Sequence, residues 1–162
     1  MVEINKTITL KLIFLISIIA LSSAFFIEYV LGHQPCNLCI LERIPYLMAI
    51  IIIVLNNKFI HLEKYFILLL IFIFLGATIL SLYHLGIEQG FIEESLVCDL
   101  KKGSDLVSKE DILRQLQEKN ISCKDVTFKI FGFSLTAVNI ILSLFLTFIL
   151  TKIFINYETL KS

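Results

Sequence analysis

The amino-acid sequence predicts an all-α membrane protein, a bundle of four transmembrane helices with one short and one long loop on the same side. Of its 162 residues, 57% are hydrophobic and only 17% are charged, against roughly 45–50% and about 25% in soluble domains. The charges are also unevenly placed, since sixteen of the 28 lie in 88–129 whereas 44–57, 65–87 and 130–151 contain none. Apolar stretches separated by polar connections are typical of membrane spans.

The balance of charge argues against one class of partner. Basic and acidic residues number 14 each, so the formal net charge at pH 7 is zero. A nucleic-acid-binding protein usually carries a basic excess, and this sequence has none. We therefore expect the chain to contact membrane lipid and no nucleic acid.

Residues 1–162 are expected to form a single membrane domain. The four spans are expected at about 12–31, 37–57, 65–87 and 130–151, with loops at about 32–36 and 88–129. The first span has 20 residues and only Glu28 interrupts it, which is long enough to cross a hydrocarbon core of about 30 Å. A signal peptide is the alternative, because Lys6 and Lys11 precede the stretch, but its apolar residues continue to Leu31 and favour a span.

The second span is short, because the uncharged run 44–57 has 14 residues and a span needs about 20. Extending it back to Asn37 brings Glu42 and Arg43 about one turn inside the membrane edge. Ionisable groups are costly there and by default indicate function. Pro45 removes one helical hydrogen bond and could kink the span beside these residues.

The third and fourth spans have 23 and 22 residues without a charge. Because two spans separate Cys36 and Cys39 from Cys98 and Cys123, all four cysteines are expected on one side of the membrane. Thiols gathered on one face favour the oxidising side, which for a bacterial inner membrane is the periplasm. The positive-inside rule gives weak support to the same orientation, with a cytoplasmic N-terminus.

Cys36 and Cys39 form a Cys-x-x-Cys pair directly before the second span. Pro35 suits the first turn of a helix, so we expect it to open one with both cysteines in the first turn, on one face. The positive helix end and the Cys-x-x-Cys spacing both favour a thiolate. The pair is interpreted as a redox dithiol, with half of a metal site and inert structural cysteines as the alternatives.

Arg43 lies one turn after Cys39 on nearly the same face. A guanidinium stays charged at ordinary pH. It therefore either snorkels to the headgroups, with Glu42 as partner, or donates hydrogen bonds to a lipid-soluble electron acceptor beside Cys39. His84, near the end of the third span, is expected at the same depth, so these groups together predict a polar-lined pocket.

The long loop 88–129 contains Cys98 and Cys123. A capping-box pattern and an apolar stripe predict a short amphipathic helix at 109–119, which would pack on the bundle, lie on the membrane or meet a partner. A disulfide across this loop would constrain the unfolded chain by roughly 3–4 kcal/mol. A purely structural bridge is therefore the alternative to a second redox pair.

Taken together, these motifs resemble the DsbB family, the disulfide bond formation protein B of bacterial inner membranes. The matching features are Cys-x-x-Cys-x-x-x-Arg at 36–43, Tyr-His-x-Gly-x-Glu at 83–88, the two loop cysteines and Phe-Gly-Phe-Ser-Leu at 131–135. The resemblance extends over about 28–150. It implies a four-helix protein-disulfide oxidoreductase that reoxidises a periplasmic DsbA-like thioredoxin-fold protein and passes the electrons to ubiquinone or menaquinone.

The resemblance also implies roles for the cysteines. Cys36 and Cys39 would be the quinone-coupled pair, with Cys39 nearer the quinone ring and able to form the thiolate charge-transfer complex. Cys98 would form the mixed disulfide with the partner protein. Cys123 would pair with Cys98 and exchange onto Cys36.

Arg43, His84 and Glu42 are similar in position to quinone-site residues of the family, with Arg43 placed to stabilise charge developing on a quinone oxygen. The leading hypothesis is therefore a membrane thiol:quinone oxidoreductase. A metal-handling membrane protein that uses the four thiols and His33 is the main alternative. A non-catalytic membrane scaffold with a stapled loop is a second one.

Overall fold

A computed structural model describes residues 2–93, 123–124, 129–130 and 133–159. Its elements are the helices α1 (Val2–Tyr29), α2 (Asn37–Leu41), α3 (Ile44–Lys58), α4 (Glu63–Glu88) and α5 (Leu135–Thr159), a 3-10 turn (Ile60–Leu62) and two short antiparallel strands, β1 (Lys129–Ile130) and β2 (Phe133–Ser134). Within these described ranges, four helical stretches are long and apolar enough to cross a membrane, at Lys6–Tyr29, Asn37–Lys58, Glu63–Glu88 and Leu135–Asn156. The predicted all-α four-helix membrane fold is confirmed.

The bundle is held by a narrow core and by close contacts between small side chains. Helix α4 packs mainly against α5, while α3 packs against both α1 and α4. Completely buried residues include Ile13, Ala49, Phe74 and Leu146. Large apolar side chains such as Phe72 and Phe148 remain exposed on the outer faces, because in a bilayer they meet lipid rather than water.

Several small polar side chains inside the bundle find partners within it. Ser17, Ser81 and Ser143 are completely buried, and the hydroxyls of Thr78 in α4 and Ser143 in α5 lie 3.0 Å apart. In lipid no water is available to satisfy such groups, so they must pair internally. These short side chains let α4 and α5 approach closely.

The second span is broken into two helices at Glu42 and Arg43. Pro45 has no N–H to donate to the carbonyl of Leu41. The backbone N–H of Arg43 instead bonds the carbonyl of Ile40 at 3.1 Å, three residues back, and α3 restarts with Pro45 in its first turn. The sequence predicts a kink here, and the structure shows a two-residue turn in which Glu42 and Arg43 keep right-handed helical backbone angles.

The N-terminus of α2 differs from the prediction that Pro35 opens the helix. The helix begins at Asn37, and Cys36 is its cap residue, whose Sγ accepts a hydrogen bond from the backbone N–H of Cys39 at 3.3 Å. Pro35 therefore lies one residue before the cap. Only Cys39 belongs to the first turn, although both sulfurs remain on one side of it.

Gly90 ends α4 with a backbone φ of +77°, a left-handed conformation that L side chains rarely adopt. We expect Gly90→Ala to destabilise the protein by about 1–2 kcal/mol. Gly76→Ala is the matched control, since Gly76 lies inside α4 with nothing within 4 Å of an added Cβ, and alanine favours helix. Thermal unfolding in detergent, followed by circular dichroism, compares the two. Equal loss of stability in both variants would contradict this account of the turn.

Candidate functional site

The Cys36 and Cys39 sulfurs meet at one end of the bundle, 2.7 Å apart. Cys36 is buried, whereas Cys39 is partly exposed. The hydrogen bond with Cys39 and then burial raise the pKa of the Cys36 thiol well above its ordinary value. The sequence predicts a thiolate-stabilising helix end for both cysteines. For Cys36 this expectation is wrong, because burial and the neighbouring sulfur outweigh the helix end.

His84 connects Cys36 to a carboxylate. Its Nε2 lies 3.5 Å from the Cys36 sulfur and its Nδ1 lies 2.9 Å from Oε1 of Glu42, and the side chain is only 1% exposed. An ionised carboxylate can only accept, so it favours the tautomer with the proton on Nδ1. That tautomer leaves Nε2 as an acceptor facing the Cys36 thiol.

Two further side chains lie near the nitrogens of this imidazole. The Thr136 hydroxyl donates to Oε1 of Glu88 at 2.6 Å, and the same oxygen of Thr136 lies 3.2 Å from Nδ1 of His84. Glu88 lies one turn beyond His84, with its Oε1 3.9 Å from the His84 Nε2. Helices α4 and α5 therefore fix the ring together.

Asn139 is the centre of a second group of hydrogen bonds. Its Nδ2 donates to Oε2 of Glu42 at 3.2 Å and to the Ser81 hydroxyl at 2.8 Å. Its Oδ1 accepts a hydrogen bond from the Tyr46 hydroxyl. The single amide thus joins the turn at Glu42 to α3, α4 and α5.

The sequence reasoning missed Asn139, Thr136 and Ser81, although a signal for them exists. Ser81, His84 and Glu88 recur at i, i+3 and i+7 in α4, and Thr136, Asn139 and Ser143 repeat the same spacing in α5. Residues at this spacing share one helix face. Two polar stripes in otherwise apolar helices predict that the stripes face each other.

Arg43 finds its partner on α1. Its Nη1 lies 2.5 Å from Oε2 of Glu28, and its guanidinium carbon lies 5.1 Å from the centre of the Phe25 ring. The sequence analysis gives Arg43 two alternatives, snorkelling to the headgroups with Glu42 as partner, or donating hydrogen bonds to a lipid-soluble electron acceptor. The pairing with Glu42 is wrong, because Glu42 contacts His84 whereas Arg43 contacts Glu28 on α1. The contact with an electron acceptor stays a prediction.

A cavity of about 450 Å³ opens beside these residues. Its polar lining includes Cys36, Cys39, Glu42, Arg43, His84 and Cys123, which are six of the seven residues that the sequence analysis singles out. Its apolar lining comes from α1 and α5, with Ile16, Ile19, Ala20, Ala24, Ile27, Leu135, Val138 and Leu142. The structure thus brings the predicted site residues from both halves of the chain to one apolar-walled space.

Cys123 is buried in the same cluster as Cys36, together with Leu38 and Ile87. Cys123 of the long loop therefore packs beside the pair formed by Cys36 and Cys39. Exchange between two disulfides requires such proximity. Cys98 and the predicted helix at 109–119 lie outside the described residues.

Cys36, Cys39 and His84 also form a potential metal site, with ligand atoms within 4.8 Å of one another. His33 lines the same cavity. Two thiolates on one tetrahedral zinc stand about 3.8 Å apart, given Zn–S bonds of about 2.3 Å. The observed separation of 2.7 Å is shorter and is nearer to that of a pair about to form a disulfide.

Comparisons with known proteins identify relatives of the chain. The family model described as "Disulfide bond formation protein DsbB" matches residues 6–153. A protein of Rickettsia prowazekii (strain Madrid E), described as "Uncharacterized protein RP370", is 37% identical over 141 residues, which cover 86% of this chain and 81% of the relative. No solved structure matches.

The hydrogen bonds of Asn139 predict a measurable coupling with Tyr46. Asn139→Leu leaves Oε2 of Glu42 without its donor and should destabilise the protein by about 1–3 kcal/mol. In a double-mutant cycle with Tyr46→Phe we expect about 1 kcal/mol of coupling. Thr147→Val is the control, since the Thr147 hydroxyl bonds only the carbonyl of Ser143 in its own helix. If Asn139→Leu and Tyr46→Phe change the free energy of unfolding in detergent additively, the observed hydrogen-bond network is contradicted.

The surroundings of Cys36 predict an unusual pH profile for its alkylation. Only the thiolate reacts, so in the fully reduced protein the rate at Cys36 should keep rising beyond pH 9. In Cys39→Ala the profile should move to lower pH, because the largest contribution that raises the Cys36 pKa is removed. Mass spectrometry of iodoacetamide-treated peptides measures both profiles. A midpoint below pH 8.5 in the wild-type chain would show that Cys36 is not protected as described.

Proposed function

Because this chain belongs to the DsbB family of membrane disulfide oxidoreductases, we propose that it reoxidises a DsbA-like thioredoxin-fold protein and passes the electrons to a membrane quinone. The observation that supports this proposal best is the position of Cys123. It lies buried against Cys36 beside a cavity that Cys39 and Arg43 also line. One space thus adjoins cysteines of both pairs.

The first half of the proposed reaction takes place at the loop pair. A thiolate of the reduced partner attacks the sulfur of Cys98, the Cys98–Cys123 disulfide breaks, and a mixed disulfide with the partner forms. The partner's second thiolate then displaces Cys98. The partner leaves oxidised, and the two electrons and two protons remain on Cys98 and Cys123.

In the second half, the two electrons and two protons pass from Cys98 and Cys123 to Cys36 and Cys39. Cys123 attacks the Cys36 sulfur of a Cys36–Cys39 disulfide, and Cys39 leaves as a thiolate. Cys98 then closes the loop disulfide again and releases Cys36. The Cys36–Cys39 dithiol is the reduced product, and its oxidation passes two electrons and two protons on to an acceptor.

A quinone bound in the cavity supplies that acceptor, as ubiquinone or menaquinone. The cavity volume of about 450 Å³ lies within the usual range for such ligands, and its apolar walls suit a lipid-soluble ring. Arg43 is the cation that would face a polar ring oxygen, and Glu28 and Phe25 hold its side chain in place. The residues therefore fit the group.

His84 and Glu42 form the proton-handling part of this proposal. Cys36 retains its proton because its pKa is raised, and Nε2 of His84 is an acceptor within 3.5 Å. Glu42 stabilises the imidazolium that forms when the ring takes up this proton. The pair thus lets a buried thiol lose its proton without exposure to water.

We further propose that the protein is a multi-pass inner-membrane protein of a bacterium whose cysteines face the periplasm. Disulfides persist in oxidising compartments, and the partner is a soluble thiol oxidase of that compartment. The end of the bundle with Cys36, Cys39 and Cys123 would then meet that partner. The opposite end, with the N-terminus of α4, would face the cytoplasm.

Metal handling is the second candidate function, since Cys36, Cys39 and His84 can present three ligand atoms to one ion. The hydrogen bond from His84 to Glu42 is common behind metal-bound histidines. The short distance between the two sulfurs favours the redox function. The experiment below distinguishes the two.

The test mixes the purified full chain in detergent with a reduced DsbA-like protein and a soluble quinone, and follows quinone absorbance. We expect turnover by the wild-type chain and none by Cys39→Ser. When Cys123→Ser is mixed instead with the oxidised partner, the Cys98 thiolate should attack the partner disulfide and form a mixed disulfide, while the partner's other cysteine leaves as a thiolate. A metal chelator should have no effect. Failure to reduce quinone, full activity in Cys39→Ser, or one tightly bound zinc ion per chain would contradict the proposal.

Arg43→Gln provides the test of the quinone-facing residue. Loss of a charged hydrogen-bond donor should raise the apparent KM for quinone about ten- to a hundredfold. The rate of thiol exchange with the partner should stay the same. Lys152→Gln is the control, because this lysine does not line the cavity. An unchanged KM in Arg43→Gln, or an equal change in both variants, would exclude the proposed role.

A further inference from the structure

A second cavity, of about 520 Å³, lies at the end of the bundle opposite the cysteines. It is formed by the start of α1, the last turns of α3 and the first residue of α4, Glu63. The ends of membrane spans mark the boundary between the hydrocarbon and the headgroups. The lining residues therefore extend from headgroup depth into the hydrocarbon.

The lining becomes more apolar with depth along both helices. On α1 the lining residues share one helix face, at positions i, i+3, i+4 and i+7: Thr7, Leu10, Lys11 and Phe14. On α3 the polar Asn57 lies next to the helix end, and Val54 lies about one turn closer to the middle of the span. A molecule that follows this surface has a polar end at the membrane edge and an apolar end below it, as a phospholipid does.

One of the two cations in this lining is already neutralised. Nζ of Lys6 lies 2.7 Å from Oε2 of Glu63, and the two side chains are 14% and 11% exposed. This ion pair joins the start of α1 to the start of α4 and leaves no net charge for a ligand. The remaining charged group of the lining is Lys11.

Lys11 supplies the observation that points to a ligand. It is exposed and lies five residues, or about 7–8 Å, further into the first span than Lys6. No carboxylate pairs with it in the part of the chain that the structure describes. An ammonium group inside a span is costly unless it finds an anion or reaches the headgroups. A phosphate beside Lys11 would provide that anion.

We propose that this cavity binds a phospholipid with a single net negative charge, of the phosphatidylglycerol type. Its phosphodiester faces the ammonium of Lys11. Its glycerol hydroxyls meet the exposed side chains of Thr7 and Asn57, and an acyl chain passes along Phe14 and Val54. Basic pockets between transmembrane helices are typical sites for anionic headgroups. Because the cavity lies at the far end of the bundle from the cysteines, this proposal is independent of the redox function.

Charge decides between this lipid and the zwitterionic ones. The lining carries two ammonium groups and one carboxylate, so it has one excess positive charge. Phosphatidylcholine and phosphatidylethanolamine each bring a cation together with their phosphate, and the carboxylate of Glu63 is already paired with Lys6. Phosphatidylglycerol brings the phosphate without a cation. The lining and this lipid are therefore neutral together.

The experiment is native mass spectrometry of the full chain, delipidated in detergent and titrated with each of the three lipids at equal acyl composition. We expect phosphatidylglycerol to bind at one site about fivefold more tightly than either zwitterionic lipid, the ratio that one lysine near an anionic headgroup provides. This comparison uses the unmodified protein and does not depend on the folding of any variant. Equal affinities, or tighter binding of a zwitterionic lipid, would overturn the assignment.

Variants assign the preference to one residue. Lys11→Gln should abolish the preference for phosphatidylglycerol, whereas Lys11→Arg should keep it, because arginine retains the charge. Lys58→Gln is the matched control, since Lys58 is an exposed lysine at the same end of the bundle that does not line the cavity. An undiminished preference in Lys11→Gln, or an equal loss in Lys58→Gln, would show that the cavity does not select the lipid.

A soluble competitor separates a lipid site from a site for free phosphodiesters. Glycerophosphoglycerol carries the same headgroup without acyl chains, so it buries no apolar surface along Phe14 and Val54. We expect it to displace the lipid only at about a hundredfold higher concentration. If it binds as tightly as the lipid, the site recognises a soluble phosphodiester and the lipid assignment is wrong.

Discussion

The buried carboxylate of Glu42 is the group on which the rest of the site depends. A charged or polar group at membrane depth has to be satisfied by the protein itself. Glu42 accepts hydrogen bonds from His84 on one oxygen and from Asn139 on the other. These two donors belong to α4 and α5, the two helices that pack most extensively against each other. Satisfying one carboxylate therefore fixes the relative rotation of both helices and sets the orientation of the imidazole.

The two ionisable residues before Pro45 point to different sides of the second span. In a continuous helix, neighbouring residues point about 100° apart, and their side chains reach partners on adjacent faces. In the two-residue turn between α2 and α3, Glu42 faces α4 and α5 while Arg43 faces Glu28 on α1. Each ionisable residue of the second span thus has its own partner: Glu42 accepts a hydrogen bond from His84, and Arg43 forms an ion pair with Glu28. Pro45 accounts for the break in the helical hydrogen bonding, and the angle between successive side chains accounts for the separate pairing.

Composition and motif spacing were enough to predict the architecture and to single out six of the residues that line the cavity. Spans of twenty apolar residues admit few other folds, and Cys36, Cys39, Arg43 and His84 stand out as costly polar groups at one membrane edge. The same reasoning could not predict which of these side chains pair with each other. The pairing of Arg43 with Glu28 and of Glu42 with Asn139 depends on how helices rotate against each other, and sequence position does not determine that rotation.

The difference in environment between the Cys36 and Cys39 sulfurs also indicates which of the two is attacked in the proposed exchange. Attack on a disulfide is favoured at the sulfur whose partner is the better leaving thiolate. The hydrogen bond with Cys39 and then burial raise the pKa of the Cys36 thiol. The burial persists in the disulfide, so Cys36 is the poorer leaving group. An incoming thiolate therefore attacks Cys36 and releases Cys39, the sulfur that is partly exposed and lines the cavity. Cys123 is packed in the same cluster as Cys36 and is the thiolate proposed for that attack. The electrons then arrive on Cys39, next to the space proposed for the quinone.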